Sequence, residues 1–217
     1  ELGEVSAADL FASADRCDLR EELSYHIQQE AIAIAAQWPK AFGHLRLAVN
    51  LGAEEMTDNY GTRLLQLLGS AGFDSNRLTL ELTEESLVRD LQLAAGQLAL
   101  LRSNGVRIAV DDFGAGYSSL SSLRTFPADL LKLDGTLVRD VGRTDGGDDP
   151  MVRSLIQLAH SLNLVVCAEW VTTEDHVQRL KALGCDLLQG NRIGEPIAAD
   201  AFAQKLQRTN SVQSPLE

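Results

Sequence analysis

Cysteine is scarce in this chain, and its placement excludes more than its number does. Cys17, Cys167 and Cys185 form neither a paired framework nor a Cys-x-x-Cys element, so a disulfide-stapled secreted module is out and a reducing compartment is the natural setting. Long apolar runs are missing too. No stretch approaches the roughly 18 apolar residues of a membrane span, and nothing resembles a signal peptide. The expectation is a soluble, cytoplasmic domain, with any membrane anchor elsewhere in the gene. Positive charge is in short supply: 19 Lys and Arg against 31 Asp and Glu leave a net charge of −12. Such a surface repels a nucleic-acid backbone, so no DNA or RNA groove is expected. An anionic small molecule would need bound cations or a few placed Lys and Arg. A Pro/Gly/Ser-rich linker is also absent, so 217 residues at 45% hydrophobic suit one large unit.

What is present is an alternation. Ser6 caps a short helix carrying Leu10 and Phe11, and an Ala- and Ile-rich helix runs from about Arg20 to Trp38, where Pro39 stops it. Six strand-like runs follow, each trailed by helical or turn sequence. They are Leu45–Asn50, Arg77–Glu84, Val106–Asp112, Leu130–Asp134, Leu164–Glu169 and Asp186–Gly190. Cys167 and Cys185 fall in apolar parts of these runs and read as core. Residues 142–150 are polar and Gly/Asp-rich, which reads as a loop. The segment past Leu206 is polar and is expected to fray. The domain reading is therefore 1–206, with 207–217 as a polar tail.

Strands and helices in strict alternation imply a parallel sheet with right-handed crossovers. Each strand here ends on polar or charged residues. Taken alone, Asp111-Asp112 before Phe113-Gly114 reads more readily as a solvated turn. Six polar ends in turn are harder to dismiss, because in a (β/α) barrel they converge at one mouth. The expected fold is a modified TIM-type barrel with six of its eight strands represented. The count leaves two readings, an open six-stranded sheet or a chain that starts two strands late.

The candidate mouth carries Glu81, Asp111, Asp112 and Glu169, with Asn50 and Lys132, while His26, His44, His160 and His176 fall on helices or loops. Oxygen donors without clustered His suit Mg²⁺ or Mn²⁺ rather than Zn²⁺. An acidic metal site on an acidic protein suits an anionic substrate bridged by cations, and two-metal phosphodiester hydrolysis is the reaction such sites run most often.

The motifs Ala48-Val49-Asn50-Leu51, Glu81-Leu82-Thr83-Glu84, Asp111-Asp112-Phe113-Gly114-Ala115-Gly116-Tyr117-Ser118, Leu131-Lys132-Leu133-Asp134, Ala168-Glu169 and Gly184–Gly190 occur in that order. Together they resemble the EAL-domain phosphodiesterases, which hydrolyse cyclic di-GMP to the linear dinucleotide pGpG. The resemblance implies Asn50, Glu81, Asp111 and Asp112 as ligands of Mg²⁺ or Mn²⁺, with Ca²⁺ inhibitory. It implies Lys132 and Glu169 ordering or activating the attacking water, Gln189 lining the site, and Glu84 steadying the loop after Asp112. A homodimer and an upstream sensory or cyclase-like domain are implied as well. Glu84 also reads simply as a first-turn acid favoured by the helix dipole.

Three departures stand out. The family's Glu-x-Leu motif is absent, since Glu1-Leu2 and Glu54-Glu55 have the wrong context, and an N-terminally incomplete chain with little activity of its own is the expectation. The usual Ala-Glu-Gly-Val-Glu reads Ala168-Glu169-Trp170-Val171-Thr172, and the aromatic that commonly follows Gln-Gly is Asn191. Trp170, Thr172 and Asn191 are therefore candidates for a remodelled substrate edge, with Trp170 either covering the site or stacking on a guanine. Two readings follow for the parent protein: a hydrolase, favoured by the intact acid set, or a cyclic di-GMP receptor or interaction module that has lost turnover. An unrelated enzyme on the same barrel is a third, remoter reading.

Overall fold

The computed structural model describes residues 5–52, 55–83, 91–115, 123, 126–142 and 149–212, without side-chain detail at 41, 91–94 and 207–212. Glu84, Tyr117 and Ser118 lie outside the described residues.

Six strands, β1 (Leu47–Asn50), β2 (Leu78–Thr83), β3 (Arg107–Phe113), β4 (Leu130–Leu133), β5 (Val165–Ala168) and β6 (Leu187–Leu188), form one sheet in sequence order. Every neighbouring pair is parallel. This is the strand order of a (β/α) barrel, and six parallel strands are present. The central strands are buried on both faces: Leu78, Leu80, Ile108, Ala109 and Val110 are wholly inaccessible. Their β-branched and Leu-rich runs are what a sheet covered on both sides requires.

The covering helices are α1 (Ala7–Arg16), α2 (Arg20–Ala36), α3 (Tyr60–Ala71), α4 (Leu91–Ser103), the single turn α5 (Gly135–Val138), α6 (Asp149–Ser161), α7 (Glu174–Leu183) and α8 (Ala199–Val212). Capping begins three of them, at Ser6 as the sequence implies and also at Asp134 and Thr173. Ser6 Oγ accepts from Asp9 N at 3.1 Å, Asp134 Oδ1 from Thr136 N at 2.8 Å, and Thr173 Oγ1 from His176 N at 3.1 Å. Apolar stripes such as Leu64 and Leu68 on α3, or Val152, Ile156 and Ala159 on α6, join the sheet in one core.

Several strand ends shift by one residue, and three boundaries differ further. β1 begins at Leu47, because Leu45 and Arg46 form a loop and the Leu45 carbonyl accepts from Arg77 Nε at 2.8 Å. β6 shrinks to two residues, although Asp186 N and Gln189 N still bond the carbonyls of Val166 and Ala168 beside it. The segment past Leu206 does not fray at once: α8 continues to Val212. Its good helix formers Ala201, Ala203, Gln204 and Lys205 favour that, and Phe202 docks the helix edge-on against Trp38 with ring centroids 5.9 Å apart.

Candidate active site

Parallel register brings the strand ends to one edge. Asn50 lies opposite Glu81, Thr83 opposite Asp111, Phe113 opposite Leu133, and Leu133 opposite Ala168. The residues at or just past those ends therefore share a surface, the edge on which (β/α) folds carry their chemistry.

Lys132 is its centre. Its side chain is 4% exposed, and Nζ stands 3.0 Å from Glu81 Oε2, 2.9 Å from Asp111 Oδ1 and 2.9 Å from Glu169 Oε1. Three strands thus deliver one carboxylate each to an ammonium on the strand among them. The three donors of a protonated lysine match three acceptors, which satisfies a cation that could not otherwise stay buried. Burial alone would lower the Lys132 pKa, but bonds to Asp111 and Glu169 and the charge of Glu81 outweigh it and hold the ammonium protonated above its ordinary range.

The acids fare differently. Burial raises the pKa of Glu81 and of Glu169, with Lys132 opposing it. Burial, then repulsion from Asp111 and Asp134, raises Asp112. One ammonium shared among several carboxylates cannot compensate each of them. With all four acids ionised, three negative charges remain unneutralised, and such a cluster favours a further cation.

Asp112 is the unusual member. Successive residues of a strand point to opposite faces, so neighbouring aspartates in regular β3 could not both face the cluster. The β3–β4 register shifts between Val110 and Phe113, and Asp112 takes a left-handed conformation with φ of 54°. This local break lets both carboxylates serve one site. Ligand oxygens of Asp111, Asp112 and Glu169 lie within 4.8 Å of one another. Oxygen donors at that spacing suit a hard divalent cation. Burial pushes the neighbouring Cys167 thiol up to about 12, and the donors grouped here are carboxylate oxygens.

Asn50 and Gln189 flank this cluster at the ends of β1 and β6, and neither side chain bonds to it among the described residues. The Asn50 carbonyl is held from behind by Gln28 Nε2 at 3.2 Å, and Gln28 Oε1 accepts from the buried Tyr60 hydroxyl at 3.0 Å. Sequence reading missed this link, because a Gln amid α2 carries no pattern of its own. Gly190 clamps the β6 end against the β5 loop: with φ of 149°, a Cβ there would sit 2.4 Å from Val171 N. Val171 N in turn donates to the Gln189 carbonyl at 3.0 Å. Trp170, Thr172 and Asn191 are all exposed on these two loops. Asp134, read at first only as a strand end, faces the same edge through its charge on Asp112.

Comparison with known proteins follows this geometry closely. The model of the EAL domain matches residues 1–196. The chain belongs to the EAL domain family. An uncharacterized signaling protein of Caulobacter vibrioides is 38% identical over 201 residues, covering 92% of this chain and 24% of the relative. A cyclic di-GMP phosphodiesterase of Pseudomonas aeruginosa is 34% identical over 209 residues, 96% of this chain and 35% of the relative. The EAL chain thus spans about a quarter to a third of these relatives. Among solved structures, the PaMucR phosphodiesterase in its c-di-GMP complex superposes with a TM-score of 0.81 at 31% identity, over 91% of this chain and 81% of that one. Klebsiella pneumoniae BlrP1 in its calcium/cy-diGMP complex gives 0.77 at 32% identity, over 85% and 46%. The manganese/cy-diGMP complex of BlrP1 gives 0.72 at 30% identity, over 86% and 45%. As an EAL domain, the chain supplies six parallel strands of a TIM-like barrel.

Proposed function

We propose that this chain carries the hydrolytic site of a cyclic di-GMP phosphodiesterase that releases linear pGpG. The observation that carries the reading is Lys132 set among Glu81, Asp111 and Glu169, with Asp112 turned into the same cluster. The relatives' named activity and the ligands of the related structures support it.

Asp111, Asp112 and Glu169 would hold a divalent cation, with Asn50 and Glu81 beside them. We read it as Mg²⁺ or Mn²⁺ in the active form, and Ca²⁺ as an inhibitory occupant. Such a cation supplies Lewis-acid polarisation of the phosphodiester and eases deprotonation of the attacking water. The chain's own groups do the rest. Lys132 orients the carboxylates around it and screens the incoming phosphate charge. Glu169, buried at the end of β5 and 2.9 Å from Lys132 Nζ, is placed to act as the general base. It takes one proton as the water oxygen attacks phosphorus. The bond from phosphorus to the 3′-oxygen then breaks, and that oxygen leaves with the proton from Glu169. Gln189 lines the site.

Three free cysteines, one of them buried, support a reducing, cytoplasmic setting. The greater length of the relatives supports a sensory or cyclase-like domain joined to this one.

The test is incubation of the parent protein that carries this domain with cyclic di-GMP and Mg²⁺ or Mn²⁺, with product followed by chromatography. Metal-dependent pGpG that disappears in Asp111→Ala is the expected result. Tight binding without product in either metal would mean a receptor instead, and no binding would overturn both.

A further inference from the structure

Behind Asn50, α2 and α3 bury three polar side chains. Ser24 and Gln28 stand one turn apart on α2, 7% and 2% exposed, and Tyr60 on α3 is 5% exposed. We propose that Gln28, held by Tyr60, is a positioning residue that presents Asn50 to the divalent cation and so sets the affinity of the site for it. The cation rests on the reading above, while the contacts rest on the fold.

The grip is on one peptide unit. Gln28 Nε2 donates to the Asn50 carbonyl at 3.2 Å, and on the opposite side of the same peptide Leu51 N donates to the Glu81 carbonyl at 2.8 Å. Among the described residues β1 pairs only with β2. The Asn50 carbonyl therefore lies on an edge, where an acceptor lacks a strand partner, and Gln28 supplies the missing donor. A peptide is planar, so tying it on both sides stops its rotation. That fixes the backbone at Asn50 and with it the direction in which the Asn50 side chain leaves the strand end.

The relay has one possible sense. The Asn50 carbonyl only accepts, so the Gln28 amide nitrogen must face it and Oε1 must face Tyr60. Tyr60 then has to donate, and its hydroxyl does so to Gln28 Oε1 at 3.0 Å. Burial, then the charge of Glu55, raises the Tyr60 phenol above its ordinary range, so the donor keeps its proton. Glu55 is itself buried and accepts from Ser24 Oγ at 2.7 Å, which ties the loop after β1 to the same face of α2. Further along that face Ile32 and Ala35 are buried as apolar core. An apolar residue at 28 would continue the stripe without burying an amide. The amide stands instead at the level of the strand end, where Asn50 needs it.

The test is calorimetry with Mn²⁺ on the parent protein that carries this domain, following the binding that Asp111→Asn removes. A hydrogen-bond partner behind a metal ligand typically contributes about tenfold or more to affinity. Gln28→Met keeps the length and loses both bonds, and is expected to weaken Mn²⁺ by about tenfold. Tyr60→Phe deletes one oxygen, should fold, and is expected to weaken it by about threefold, since Gln28 remains but is no longer held. In Asn50→Ala, adding either change should alter affinity by less than about twofold, because the ligand that the relay serves is gone. At saturating Mn²⁺, Gln28→Met should lower kcat for cyclic di-GMP with KM nearly unchanged. Mn²⁺ affinity unchanged in both variants, or an equal loss with and without the Asn50 side chain, would overturn the positioning role and leave the hydrolase standing. Losses that vanish in Asn50→Ala, in a protein that cleaves no cyclic di-GMP, would sustain the positioning role and overturn the hydrolase.

Discussion

Replacing Lys132 by Met tests the electrostatics of the site most directly. Methionine keeps much of the length and apolar volume of the lysine stem, so the change is chiefly the loss of one charge. Three carboxylates 11–14% exposed then face one another with no ammonium between them. Removing one partner of a buried ion pair costs about 3–5 kcal/mol, and at pH 7.5 we expect the variant to lose that much. The carboxylates have an escape, which is to protonate. Burial already raises Glu81 and Glu169, and losing the ammonium raises them further above their unfolded values. Stability from a carboxyl so shifted is fully present below its unfolded pKa and is lost as pH rises through the folded one. The deficit should therefore shrink on acidification. One extra proton held by the native variant between pH 7.5 and 5.5 is worth about 2–3 kcal/mol. Urea unfolding of wild type and Lys132→Met at both pH values, without divalent metal, measures this. A deficit below about 1 kcal/mol at pH 7.5, or one that does not change with pH, would refute a charged cluster neutralised by Lys132.

Further expectations follow from the same geometry. Mn²⁺ at about 100 times its dissociation constant should stabilise the protein by about 2.7 kcal/mol, raising Tm by roughly 5–10 °C for a chain of this size. Scanning fluorimetry should show that rise and its loss in Asp111→Asn. Metal affinity should fall as pH drops from 7 towards 5, because Glu81, Asp112 and Glu169 all have raised pKa values and bind a cation only when ionised. Calorimetry at three pH values would detect this, and a flat profile would count against these acids as ligands. Gly190→Ala should cost about 2–4 kcal/mol in urea unfolding, since its Cβ would overlap Val171 on a backbone that disfavours any side chain.

The strand ends were legible because burial leaves a mark in composition. Ile108-Ala109-Val110 reads as a fully covered strand and is one, and Asp111 follows where the covering stops. Lys132 was legible as a charge at a strand end, but not as the ammonium that three carboxylates surround. Helix ends were less legible. Nothing local to Phe202 announces that it packs on Trp38, residues far apart in sequence, so a segment that reads as a fraying tail instead continues as α8. The Gln28–Asn50 link is hidden in the same way, since it joins a helix face to a strand carbonyl 22 residues on. The Trp170 departure was visible, but not its left-handed backbone, because conformation at one residue is set by the loop that holds it.

Asp112 shows where pattern and chemistry part. Strand periodicity assigns neighbouring aspartates to opposite faces, and on that rule only one of the pair could reach Lys132 or a shared cation. The site needs the rule broken at one residue, and the break is built from two local features, the register shift before Phe113 and the left-handed turn at Asp112. Aspartate tolerates that conformation better than most residues, because its short polar side chain can bond locally. A second anchor lies next to it, where Asp112 N donates to Asp111 Oδ1 at 3.0 Å. That bond ties Asp111 Oδ1, already held by Lys132, to the backbone of the residue that must turn. The same carboxylate oxygen thus links the ammonium to the bend, so the charge network and the strained backbone hold each other in place.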